Sequence, residues 1–199
     1  SAFTLIEMVV AITIFTIFIG MAIGSFLFFH RAQQDAAASR KLIFEAENFV
    51  TIMTELVKEN KIDYSYEECS LCAEFEFVNA KNTDTIAFLS PDEMTQTIIE
   101  LDEDEEILTL LKKTFNEISQ EFENADGYDE STLLHADDVY IESVNFRIFP
   151  NKDPFGDVTN NDIQYQPNVK IEMTLKTLSR SGAEKKLNFE TTLTSRIYQ

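Results

Sequence analysis

Residues 1–29, SAFTLIEMVVAITIFTIFIGMAIGSFLFF, form an apolar run with one ionisable side chain, Glu7. Roughly 20 apolar residues at 1.5 Å each cross a ~30 Å hydrocarbon layer, so residues 3–29 are long enough to span a bilayer. A secretory signal opens on basic residues and closes on a small-residue cleavage site, and neither is visible. The first cations are Arg31 and, conditionally, His30, both after the run. With no Lys or Arg before it, the positive-inside rule gives no orientation. Any basic leader is expected to have been removed or omitted. From Ala32 the apolar positions thin to a stripe, Leu42, Ala46, Phe49, Met53, Leu56 and Val57, spaced mostly by three or four as on one helix face. Arg40, Lys41, Glu45 and Glu55 fall largely elsewhere, and no proline occurs before Pro91. The pattern predicts one helix over residues 3–58, ~84 Å long. Its first half is apolar all round and its second half is amphipathic.

After Lys58 the period changes from 3.6 to 2. Ala73, Phe75 and Phe77 alternate with Glu74 and Glu76, and Ile86 and Phe88 follow a polar turn at 79–84. Residues 97–101 and 107–111 flank DEDEE, 102–106, which reads as an acidic hairpin turn: a cation site or a solvated loop. Residues 139–149 form a long strand whose apolar phase shifts between Ile141 and Val144, predicting a bulge near Glu142 and Ser143. Val169, Ile171, Met173 and Leu175 alternate strictly with polar residues, and Leu187, Phe189, Thr191, Leu193 and Ile197 nearly so. A turn at 179–184 joins these two into a hairpin. TFNEISQEF, 114–122, is read as a short helix and residues 123–138 as a loop. One wet and one dry face per strand is what an antiparallel sheet packed on a helix shows. The fold class is α+β: a long N-terminal helix against an antiparallel sheet. The organisation is 1–29 apolar membrane-spanning helix, 30–60 its amphipathic continuation, and 61–199 an acidic sheet domain.

Charge sharpens this. The 199 residues carry a formal net charge of −19, and residues 91–138 hold 16 acids against Lys112 and Lys113. Such a surface is soluble and self-repelling, and with no basic stripe it is not expected to bind nucleic acid directly. Cys69 and Cys72 fit a short disulfide loop in an oxidising compartment, with two free buried thiols or redox or metal chemistry as the other readings. His30 and His135 are too far off in sequence to complete a four-ligand zinc site. His135, beside Asp137 and Asp138, is read as a surface loop residue. No G-x-S-x-G elbow, P-loop, H-E-x-x-H or glycine-rich dinucleotide turn is present. The chain is therefore expected to be a structural or interaction protein and not an enzyme, with no required cofactor.

Glu7 is the anomaly. A carboxylate in hydrocarbon costs roughly 2.5–3.5 kcal/mol on insertion scales, and such acids usually have a partner. Nothing basic lies within helical reach, and the chain's own α-amino group sits ~9 Å away along the axis. The partner expected for Glu7 is the N-terminal ammonium of a neighbouring subunit, displaced axially. FTLIEMVVAITIF, residues 3–15, resembles the N-terminus of type IV pilins and type II secretion pseudopilins. In that family a prepilin peptidase cuts a short basic leader before a Phe, which is then N-methylated, and a Glu four residues later guides docking into the filament. Phe3 and Glu7 match that spacing. The sequence departs from the pattern in two places. Ser1 and Ala2 precede the Phe, so either cleavage falls before Ser1, moving the amine two residues from its usual place, or these residues belong to an uncut or engineered end. Gly24 stands where many pilins have the proline at which the helix melts during assembly. Gly20 and Gly24 are read either as a point where the helix stretches or a neighbour packs closely, or as simple tolerance.

The resemblance implies a homo-oligomeric helical filament, anchored as a single pass in the cytoplasmic membrane before assembly and displayed at the cell surface after it. It also implies a prepilin peptidase, an inner-membrane assembly platform and other minor pilins as partners. A minor pilin or pseudopilin forming a short tip or piston is the rival within the family, and a single-span anchored binding module the rival outside it. Adhesion, motility and secretion are functions such filaments serve. NKDPFGDVTNND, 151–162, concentrates oxygen ligands, and Asp153, Asp157, Asn160 and Asp162 are calcium candidates on a loop that Gly156 lets turn sharply. Some pilins and pseudopilins bind calcium in C-terminal loops; an Asx-rich turn is the plainer reading.

Overall fold

The computed structural model describes residues 4–64, 66, 81–102, 104–124, 132–150, 153–154 and 166–196. One helix, α1 (Leu5–Glu59), runs unbroken for 55 residues, about 82 Å at 1.5 Å per residue. Thr4 caps it in an extended conformation (φ −79°, ψ 148°), and Asn60 ends it in another (φ −124°, ψ 157°). The Asn60 N–H and side-chain amide both donate to the Leu56 carbonyl, at 3.0 and 3.1 Å. The hydroxyls of Thr13, Thr16, Ser39, Thr51 and Thr54 each donate to the carbonyl four residues back. They are satisfied along the helix without breaking it.

Among the described residues ten strands follow: β1 (Lys61–Ile62), β2 (Lys81–Thr83), β3 (Ile86–Leu89), β4 (Thr95–Asp102), β5 (Ile107–Asn116), β6 (Glu121–Asn124), β7 (Thr132–Leu133), β8 (Val139–Phe149), β9 (Asn168–Leu178) and β10 (Glu184–Thr194). They form two antiparallel sheets. One has the order β10-β9-β8-β2; the other is β1-β3-β4-β5-β6, with β7 also pairing β5. The helix packs chiefly on β10 and β9, with β1 at its C-terminal end. The two sheets meet where the Ile141 N–H donates to the Glu106 carbonyl at 2.8 Å and Lys176 pairs with Glu106 at 2.5 Å.

The core is the seam the periodicity marks out. Leu42, Ala46, Phe49, Met53 and Val57 are buried on α1. They face the dry rows of the first sheet: Val169, Ile171, Met173 and Leu175 on β9, and Leu187, Phe189 and Leu193, partly buried, on β10. Phe49 and Phe189 meet edge to face with centroids 6.4 Å apart. The predicted bulge lies between Ile141 and Ser143 of β8. Its extra residue, Glu142, reaches Lys186 on β10 at 2.5 and 2.7 Å.

Four expectations are corrected. Within the polar turn expected at 79–84, residues 81–83 form β2 against β8. Glu45, placed off the buried face, is 9% exposed and lies in it; a long stem can pack on apolar neighbours while its head stays wet. Residues 114–122 are not a helix but the β5–β6 hairpin, where Phe115 opposes Phe122 across the ladder with centroids 5.4 Å apart. That cross-strand aromatic pair wins over local helix propensity. Within the expected loop 123–138, residues 132–133 form β7 against β5. The strand expected at 73–77 and Ile197 lie outside the described residues.

Candidate functional site

Among the described residues, Leu5 to Phe29 of the helix lie on the outside of the chain, exposed all along. Its large apolar side chains range from 39% exposed at Ile19 to 84% at Leu5. This is the one helix among the described residues long and apolar enough to cross a membrane. At its first turn Glu7 already has a partner. The Thr4 N–H and the Thr4 hydroxyl both donate to Glu7 Oε2, each at 2.9 Å. Thr4 and Glu7 thus form a capping box, which answers an orphan backbone donor of the helix N-terminus and places the carboxylate beside the positive end of the helix dipole. The sequence reading, which looked only for a cation, missed this; T-x-x-E before an apolar run was the signal.

Gly20 and Gly24 lie within the continuous helix, and a Cβ built on either meets nothing within 4 Å. At the end of the apolar run Phe26 and His30 stack with ring planes 2° apart, and the His30 Nε2 and Gln34 Nε2 are 3.1 Å apart.

A second feature fixes how this helix meets the head. Asp35 lies seven residues before Leu42 and so on the same face as the buried stripe. The Ser179 and Ser181 hydroxyls donate to its Oδ1 at 2.8 and 2.7 Å, and Lys185 approaches its Oδ2 at 3.1 Å. The hydroxyls of Ser181 and then Ser179, followed by Lys185, hold the Asp35 carboxyl down to about 2. Both serines belong to the β9–β10 turn, and Lys185 lies at the start of β10. That turn closes with Ser179 N–H to Ala183 O and Gly182 N–H to Ser179 O, both 2.8 Å, with Gly182 at φ +83°. The left-handed residue is what a short loop of this kind requires, and glycine takes it without strain. Six residues further along the helix, Lys41 pairs with Asp138 and holds that carboxyl below its usual range. Between helix and turn lies a groove of about 510 Å³, with His30, Gln33, Gln34, Ser179 and Arg180 among its walls. Sequence reasoning missed this latch: Asp35 was in phase, but its serine partners lie 144 and 146 residues away.

The other candidates are not brought to this helix. In the acidic turn the Asp102 side chain accepts the N–H groups of Asp104 and Glu105 at 3.0 and 3.1 Å, closing the loop, while Glu106 pairs with Lys176. His135 is less of a surface residue than expected: its Nε2 accepts the Leu108 N–H at 3.1 Å, and its Nδ1 lies 3.0 Å from the Ala136 carbonyl. This ring pegs the loop before β8 to β5. Asp153 is exposed. Asp157, Asn160, Asp162, Cys69, Cys72, Ser1 and Phe3 lie outside the described residues.

Against this geometry, residues 1–23 match the family described as the prokaryotic N-terminal methylation motif. The chain carries the signature of type IV pilins and pseudopilins. A pilin motif implies processing by a prepilin peptidase and assembly into pilus-like filaments. The unbroken helix against antiparallel sheets has the pilin-like α+β layout. No curated protein and no solved structure matches the chain.

Proposed function

We propose that the protein is a structural subunit of an extracellular type IV pilus-like filament, held in the cytoplasmic membrane by residues 5–29 until it assembles. The observation that carries this reading is the helix segment Leu5 to Phe29, entirely exposed, apolar on all sides, and headed by the capped carboxylate of Glu7. In the membrane, lipid covers that surface. In the filament, the same segments of many copies cover one another, and each fully buried Ile, Val, Leu, Met or Phe contributes roughly 1.5–3 kcal/mol relative to exposure in water. Glu7 meets the N-terminal ammonium of the next copy. It sets axial register more than net stability, because desolvating an ion pair offsets most of its attraction. The latched head forms the acidic sheath. The role is structural, and no catalytic group takes part.

Replacing Glu7 with Ala tests the reading. The variant is expected to insert in the membrane as the natural chain does and to form no filament, as seen in sheared surface fractions by electron microscopy. Filaments at natural yield from Glu7→Ala contradict the proposal and favour an anchored binding module. Sheared filaments in which this chain is only a trace component make it a tip or piston subunit instead.

A further inference from the structure

We propose that the helix exit carries a binding surface for the phosphate of an anionic phospholipid, built from Arg31 on α1 and Arg180 on the β9–β10 turn. The proposal rests on the membrane-anchored state described above.

The chain has 35 acidic residues and 16 basic ones, so a cation without a counter-ion is unexpected. Around the helix exit the lysines are used within the chain: Lys41 with Asp138, Lys176 with Glu106, and Lys185 with Asp35. Arg31 and Arg180 make no ion pair and no side-chain hydrogen bond among the described residues, although both stand next to an acid. Arg31 is one helical turn before Asp35 on the same face. Arg180 immediately precedes Ser181, which is bonded to Asp35. Asp35 is already occupied by two hydroxyls and Lys185, and Asp138 by Lys41. Asp137 is the remaining exposed acid of the neighbouring loop. The latch thus consumes the carboxylate that would neutralise the two arginines and leaves their guanidinium groups open to an outside anion.

Their depth says which anion. The apolar run ends at Phe29, so Arg31 lies ~3 Å and Asp35 ~9 Å beyond it along the axis. The headgroup layer of a leaflet is roughly 5–7 Å thick. Arg31 falls within that layer and the turn on Asp35 at its outer edge. Leu178, next to the turn, is 67% exposed and presents an apolar side chain at the same level. The groove of about 510 Å³ beside Arg180 gives a headgroup room. Guanidinium forks match phosphate oxygens in pairs.

The test uses the full chain in nanodiscs of equal phosphatidylcholine and phosphatidylglycerol, with native mass spectrometry of the lipid it retains. Phosphatidylglycerol is expected to be retained over phosphatidylcholine by about fivefold for each arginine engaged. Arg31→Gln and Arg180→Gln each remove their share. Arg40→Gln, about two and a half turns on from Arg31 and so on the opposite helix face, leaves the preference unchanged. Equal retention of the two lipids, a preference that survives the Arg31→Gln, Arg180→Gln double variant, or an equal loss in Arg40→Gln overturns the proposal. Displacement of the retained lipid by inorganic phosphate assigns the pair to free phosphate and also overturns it. Flotation with vesicles separates the two levels. A chain that does not float refutes the membrane reading itself, whereas one that floats with no lipid preference refutes only the headgroup surface.

Discussion

Asp35 ties two halves of the molecule together through one carboxylate, and its behaviour with pH follows from its partners. Its folded pKa is depressed from 3.8 to about 2, so its contribution is present above the unfolded value and is lost as pH falls through the folded one. Amide exchange over residues 179–183 should therefore stay slow down to about pH 4 and quicken progressively towards about pH 2. In Asp35→Asn that step should be missing, and a step of the same size in the variant would assign it to another group. Gly182 is the turn's other fixed point. An alanine there meets no neighbour within 4 Å, so only the left-handed backbone at φ +83° resists it. Gly182→Ala is expected to destabilise by about 1–2 kcal/mol in denaturant unfolding of the detergent-solubilised chain. Much of this was hidden in the sequence. The phase of Asp35 was legible, its partners were not, because hydroxyl pairing across more than 140 residues leaves no local trace. Thr4 and Glu7 were legible as a capping box, and the search for a cation passed over it.

At the scale of elements the helix is two environments on one rod. Its outer half is held by a narrow seam, and Met53, with no exposed surface, sits in the middle of it. Met53→Ala should lower stability by about 2–5 kcal/mol, measured by the same denaturant unfolding, and a change well below that would mean the seam collapses around the gap. Its inner half holds Gly20 and Gly24, each about 1 kcal/mol less favourable in a helix than alanine. Because a Cβ fits at both without contact, Gly20→Ala, Gly24→Ala should insert normally. If the helix stretches there during assembly, the double variant should form filaments more slowly; an unchanged rate would make the glycines passive. Elements with a sustained period were readable: α1 from its stripe, β9 from strict alternation, β10 from near alternation, and β8 from an apolar phase whose shift marked the bulge at Glu142. The β5–β6 hairpin was not. Its turn, residues 117–120, carries no glycine, and the positive φ of 58° falls on Gln120, a residue type that gives no turn signal.

For the whole molecule, the division of strands into two sheets escaped the sequence, because alternation shows which face of a strand is dry and not which strand lies beside it. The division gives each sheet a separate place. The β10-β9-β8-β2 sheet takes the helix seam, while the sheet around β4 and β5 carries the acidic turn to one side. The result is a polar, negatively charged head on an apolar rod that finds no cover among the described residues of its own chain. The central claim is that sister rods supply that cover, with Glu7 answered by another copy's terminal amine. A cryo-electron microscopy reconstruction of filaments sheared from cells tests it most directly. The account predicts residues 5–29 of many copies packed as a central bundle, with each Glu7 carboxylate within about 4 Å of a neighbour's N-terminal nitrogen. Rods that lie apart, or a Glu7 surrounded only by hydrocarbon, would contradict it.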